Sequence, residues 1–370
     1  MKDVELSFPL QLLIILCKPE WSEHDLTFLK LHLSDSKEEL LTLAERHRVS
    51  PLLWLVHQKL NIFPDEQSSI LQARMVQNQL NALKFKALQH KLNSFMRDAG
   101  INGFFLKGVS LAERFYDDIA ERHVLDCDVL VEEKSVLAIA DYLASIGYKP
   151  SPDINEFNCK QWKHFQKTHH DLYFSMLGDT WAIPIELHWR LRSPLGSFNL
   201  VPKNELEQVD EFLYLCVHGT EHGWFRLKWL MDLPRVIKKS DFDWIAIWER
   251  AGELNCKRQL SVSLILMEQF DIYHIPNILR NKLKIYDFHF ELNYICHAMT
   301  SNALVNDNDL NRWKYFKYLW SFYSFRWDAT PIFFFLTSPS DWKIIKLPPS
   351  LFFLYYPLRP FLWVYRRFKH

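Results

Sequence analysis

The sequence predicts an α+β protein: a small mixed sheet with helices, flanked by N- and C-terminal helical domains. Three observations carry this expectation. Apolar residues recur at helical spacing up to about residue 95, give way to short alternating runs between 101 and 191, and return to helical spacing beyond 194. Glycine is scarce, at 9 of 370 residues, and neither a GxGxxG nor a P-loop pattern occurs, which excludes the glycine-rich nucleotide folds. Hydrophobic residues make up 48% of the chain, enough for sizeable cores in more than one domain.

The elements follow in order. A helical N-terminal domain is expected over 1–98, with Ser36 ahead of Glu38 and Glu39 as a helix start and Gly100 closing the last helix. Over 99–193 short strands and helices alternate. "GFFLKG" reads as a strand, "SLAERFYDDI" as a helix, "DCDVLV" as a strand and "KSVLAIADYLASIGY" as a helix. "THHDLYFSM", which His169 and His170 help to open, and "AIPIELHWRL" read as paired strands about a turn at Gly178 and Asp179. A helical C-terminal domain is expected over 194–310. An aromatic and basic extension follows over 311–370, where interleaved prolines limit any long helix.

Composition narrows the function. Lys plus Arg and Asp plus Glu both number 44, so no global field recruits nucleic acid, which is not favoured as a partner. Six cysteines without a CxxC pair read as reduced thiols, consistent with a cytoplasmic location. In "MKDVELSFPLQLLIILCKPEW", Asp3 and Glu5 precede the apolar core, which reads as a helix rather than a signal peptide. No run reaches the roughly 18 apolar residues of a membrane-spanning helix.

Acids stand out within the strands. In extended chain, alternate side chains share a face, so Asp126 and Asp128 point together, as do Glu186, His188 and Arg190. Burying like charges side by side is costly unless a divalent cation neutralises them. Should the two strands be neighbours, Asp126, Asp128 and Glu186 form a three-carboxylate catalytic and metal site for Mg²⁺ or Mn²⁺. Between the first strand and its helix, the turn Lys107-Gly108-Val109-Ser110 offers backbone N–H groups, a hydroxyl and an ammonium to phosphate oxygens.

At these residues the chain resembles the DNA polymerase β superfamily of nucleotidyltransferases, and within it a bacterial uncharacterised nucleotidyltransferase family. The matching stretches are "AERHRVSPLL", "FLKGVSLAERFY", Arg122 ahead of "DCDVLV", "IELHWRL" and "LCVHGTEHGWFRLKWLMDL". The resemblance implies a minimal polymerase-β-like core with Asp126, Asp128 and Glu186 as metal ligands, and Lys107, Gly108, Ser110 and Arg122 as contacts to an NTP co-substrate. It implies transfer of a nucleoside monophosphate to an acceptor, which could be a small molecule, a sugar or a protein, with release of pyrophosphate. The alternative is a catalytically degenerate member of the fold that serves as a binding or scaffold protein.

Other motifs compete. "HGTEH" matches H-x-x-E-H, so His218, Glu221 and His222, with a distant acid such as Glu291, form a rival zinc-hydrolase reading. Against it, Gly219 and Gly223 weaken the helix that would present the ligands. His188, His218, His222 and Asp232 are candidates to line a substrate cleft. The C-terminal "SLFFLYYPLRPFLWVYRRFKH" reads first as a helix capping the core. Its composition also suits contact with a partner or with the inner face of a membrane.

Overall fold

The computed structural model describes residues 6–33, 37–176, 178, 182–191, 206–301, 309–322 and 336–368. The expectations placed on Asp3, Glu5, Ser36, Asp179 and Lys369, and on the boundary at 193 and 194, lie outside them. The chain is α+β, with many helices and one five-stranded mixed sheet.

In chain order the elements begin with helices α1 (Phe8–Cys17), α2 (Glu23–His32), α3 (Lys37–Arg46), α4 (Ser50–Leu60) and α5 (Asp65–Asp98). Next come β1 (Gly103–Phe105), α6 (Gly108–Phe115), β2 (Cys127–Val131), α7 (Val136–Ser145), β3 (Tyr148–Ser151), α8 (Cys159–Thr168), β4 (Asp171–Met176) and β5 (Ile185–His188). Helices α9 (Gln208–Glu221), α10 (Leu227–Lys238), α11 (Trp244–Glu253), α12 (Lys257–Gln269), α13 (Asn277–Leu283), α14 (His289–Thr300) and α15 (Asp309–Trp320) follow. Two further helices cover Pro339–Ile344 and Tyr355–Phe368.

Two compact units result. The helical unit comprises Met1–Ala87, Lys107–Leu125 and Leu206–Ser324; the sheet unit comprises Leu88–Leu106, Asp126–Glu205 and Phe325–His370.

In the helical unit, the apolar run near the start is a core helix. Leu10, Leu12, Leu13, Ile14 and Leu16 of α1 are all buried, so the helix is apolar nearly all round because it is covered nearly all round. Helix α2 starts at a reciprocal cap in which Asp25 N–H donates to Ser22 Oγ and Ser22 N–H donates to Asp25 Oδ2. Within α9, a Cβ at Gly219 would meet the Trp224 indole at 2.3 Å. The glycine that weakens the helix intrinsically is thus the one that admits a fully buried tryptophan.

The first amides of a helix have no partner within it. At the start of α10 His47 supplies two: Leu227 N–H donates to His47 Nδ1 at 3.1 Å and Lys228 N–H donates to the His47 carbonyl at 3.3 Å. Burial first, and the Arg46 charge second, lower the His47 pKa to about 3. The unfolded chain then binds a proton near pH 6.5 that the native chain refuses. The stabilisation is whole above that pH and drains away as pH falls towards 3. Between pH 7 and pH 5 it should shrink by about 2 kcal/mol, read as a fall in melting temperature that His47→Gln flattens. A His47→Gln protein with an unchanged acid limb would contradict this.

In the sheet unit the strand order is β1-β2-β5-β4-β3. Strands β2 and β5 are parallel, and every other pairing is antiparallel. A parallel neighbour requires a long crossover, here the segment that contains α7, β3, α8 and β4. Helix α8 begins at another reciprocal cap, between Asn158 and Gln161.

Several sequence expectations are corrected. Helix α6 ends at Phe115 rather than Ile119, and α7 ends at Ser145, after which Tyr148 opens β3. Neither β3 nor α8 was anticipated. Because α8 runs through Thr168, His169 caps that helix and His170 precedes β4, so neither opens a strand. The "HGTEHGWFRLKWL" run breaks between α9 and α10, with Gly223 and Trp224 at positive φ. Tyr355–Phe368 is one continuous helix through Pro357 and Pro360.

Candidate active site

Strand β2 lies between β1 and β5, and all five of its residues are buried. A strand covered on both faces should be continuously apolar, as Cys127, Val129, Leu130 and Val131 are. Asp128 breaks that rule, at 4% side-chain exposure. The parallel register sets Asp128 opposite Glu186. Residues in register share a face, and alternation carries His188 to the same face.

The three side chains meet there. His188 Nε2 lies 3.1 Å from Asp128 Oδ1 and 3.6 Å from Glu186 Oε2. One donor atom from each of the three falls within 4.8 Å of the others, the only such group of potential metal ligands among the described residues. Burial alone would push the His188 pKa down, but hydrogen bonding of its ring N–H to the Asp128 and Glu186 carboxylates outweighs it and raises the pKa to about 9. At neutral pH the imidazolium therefore offsets part of the paired negative charge. Across the sheet, Asp171 of β4 lies opposite His188 and Tyr173 lies opposite Glu186.

Asp126, half-buried ahead of β2, does not join this group. Arg190, past the end of β5, turns to Glu133 at 3.3 Å. His188, placed from sequence only in a substrate cleft, is the group's third member. Its spacing from Glu186 was the available signal. The two carboxylates offer the oxygen donors that Mg²⁺ or Mn²⁺ accepts, while His188 is a ligand only once it has given up its proton, so Asp128 and Glu186 are the residues that fit such a cation.

The helical unit holds the other sequence-derived candidates. Gly108 opens α6 at φ +61°, a conformation that glycine adopts without strain. Ser110 is half-buried in the first turn of α6. Lys107 is buried, with Nζ 3.5 Å from His218 Nδ1 and 5.8 Å from the centre of the Tyr214 ring. Arg122 and Asp232 form a buried bidentate pair at 2.8 and 2.9 Å, and Tyr116 OH donates to Asp232 at 2.7 Å. Arg122 Nη1 also reaches the Gly108 carbonyl at 3.5 Å. Asn78 of α5 fixes the segment that carries this arginine: its amide donates to the carbonyls of Ala120 and Arg122 and accepts from Val124 N–H.

The H-x-x-E-H residues have other surroundings. His222 stacks on Trp229 at 4.9 Å, and His218 meets the same indole edge-on at 5.4 Å. Glu291 pairs with Arg258 at 3.0 Å. Among the described residues, His218, Glu221 and His222 do not gather three potential metal ligands.

A family model described as "Uncharacterised nucleotidyltransferase" matches residues 34–270, well over half of the chain. Neither the comparison with curated proteins nor the comparison with solved structures gives a match.

Proposed function

Because the chain belongs to the uncharacterised nucleotidyltransferase family, we propose that it moves a nucleoside monophosphate from an NTP to an acceptor, with release of pyrophosphate. One observation carries this reading: Asp128 and Glu186 stand in register on adjacent parallel strands, one of them almost wholly buried. Side by side they repel, a cost that a fold kept for binding alone has no need to carry.

Asp128 and Glu186 would hold Mg²⁺ or Mn²⁺; Asp126, the third carboxylate expected from the sequence, stands outside this group. A cation so held supplies charge neutralisation for the triphosphate and its leaving group. His188 restrains the Asp128 carboxylate through the 3.1 Å contact. Glu186, at 32% side-chain exposure, is the more accessible acid and the better placed to take the acceptor's proton. Lys107, Gly108 and Ser110 take phosphate oxygens in this reading. Arg122 contributes by holding the Gly108 carbonyl, while His218 and His222 serve the substrate side.

The test combines metal binding with labelling. Electron paramagnetic resonance should show Mn²⁺ bound by the purified protein in the presence of NTP. Incubation with each labelled NTP and a cell extract should move label onto an acceptor. No bound Mn²⁺ and no transfer from any of the four nucleotides would remove the proposal.

A further inference from the structure

The helical unit contains a cavity of about 300 Å³, lined by residues of α1, α4, α6 and α10 and of short segments beside them. Leu16, Leu52, Val56 and Phe115 give it a buried apolar wall. A pocket of this size, apolar apart from a few fixed polar groups, suits a small organic ligand. Most of the charged groups around it are matched within the protein. Lys238 pairs with Glu20 at 2.6 Å, and Lys239 with Asp117 at 3.1 Å. Lys18 is held by Asp25 at 2.7 Å and by Asp271 at 3.1 Å. Arg235, Lys59 and Glu121 remain.

Those three identify the ligand. Arg235 donates from Nη1 to the Met231 carbonyl at 2.9 Å and from Nη2 to the Cys17 carbonyl at 3.1 Å, and its guanidinium lies over the Tyr116 ring at 4.9 Å. Tyr116 is itself anchored, its OH donating to Asp232 at 2.7 Å. The guanidinium is thus fixed before a ligand arrives, which lowers the cost of ordering it. Its hydrogen bonds use two of five N–H donors, and among the described residues no carboxylate pairs with it. Lys59, at the exposed end of α4, likewise has no carboxylate partner among the described residues. Glu121 is half-buried and accepts from Asp117 N–H at 3.4 Å; burial raises its pKa against the pull of the Arg235 charge. Even when Glu121 is ionised, two unmatched cations outnumber it. A guanidinium beside a half-buried acid favours a monoanion over a phosphate, which approaches two charges at neutral pH. We propose that this cavity binds a small organic carboxylate, with its charge on Arg235, supported by Lys59, and its aromatic or aliphatic body against Leu16, Leu52, Val56 and Phe115.

Isothermal titration calorimetry of the full chain tests this, with benzoate and octanoate as probes and benzamide, octanamide, benzylamine and inorganic phosphate beside them. At least one carboxylate should bind saturably, and its amide about tenfold more weakly. Arg235→Gln should weaken carboxylate binding about tenfold, and Lys59→Gln about threefold. Leu55→Trp, which fills the cavity from a half-buried position on its wall, should abolish binding. Lys59 is exposed, so Lys59→Gln should keep the melting temperature; should Arg235→Gln fail to fold, Lys59→Gln and Leu55→Trp decide. Absence of binding by both carboxylates overturns the proposal, as does equal binding of the amides. Binding that Lys59→Gln and Leu55→Trp leave unchanged places the ligand elsewhere and overturns it too. Preference for benzylamine overturns it in favour of a cation on Glu121, and preference for phosphate in favour of a phosphate site.

Discussion

Asp128→Asn is expected to lower nucleotidyl transfer about a thousandfold, a loss of roughly 4 kcal/mol of transition-state stabilisation. The substitution keeps the size of the side chain and an oxygen that can accept from His188 Nε2, so the sheet should fold as before. What it removes is the negative charge at a position of 4% side-chain exposure, where solvent cannot replace it. Binding of Mn²⁺, followed by electron paramagnetic resonance, should fall in parallel. Glu156→Gln, at an exposed acid away from the group, serves as the control and should change neither quantity. An Asp128→Asn protein that keeps a tenth or more of the activity would show that the chemistry does not run through this carboxylate.

Asp232→Ala is expected to be the most destabilising single substitution considered, at about 3–5 kcal/mol. Arg122 and Asp232 are 3% and 0% exposed, so removing the acid takes the bidentate carboxylate from a guanidinium that water does not reach. Tyr116 OH loses its acceptor at the same time. Replacing all three together, by Arg122→Met, Asp232→Leu and Tyr116→Phe, should recover most of the loss in urea unfolding, because no charge or hydroxyl then remains buried without a partner. Activity separates the two effects. If Arg122 holds the Gly108 carbonyl as proposed, the triple variant folds but transfers nucleotide more slowly. A cost below about 1 kcal/mol for Asp232→Ala would mean that the pair is not sealed from solvent.

Much of the candidate site was legible before any coordinates. Period-two alternation assigned Asp128 to one strand face, and Glu186 with His188 to another, because side-chain direction in extended chain is a local property. The N-terminal helices were equally readable from their apolar spacing. Strand β3 and helix α8 were not: "YKPS" has no apolar alternation, and "CKQWKHFQKT" is mostly polar with its aromatic residues irregularly placed. Their identity rests on contacts with other segments, such as the β3–β4 pairing and the packing of Phe165 against Trp189.

By itself, then, the sequence determined the class of fold, the order of its helices and strands apart from β3 and α8, and the chemical type of each candidate residue, since these follow from spacing, capping and composition along a few neighbouring positions. Only the tertiary structure decided that β2 and β5 are adjacent and parallel, that His188 rather than Asp126 closes the group with Asp128 and Glu186, and that Arg122 is bound to Asp232. Local periodicity says which side chains share a face. What that face meets is settled by the packing of segments tens to more than a hundred residues apart, where burial and hydrogen bonding select among partners that the local pattern leaves equivalent.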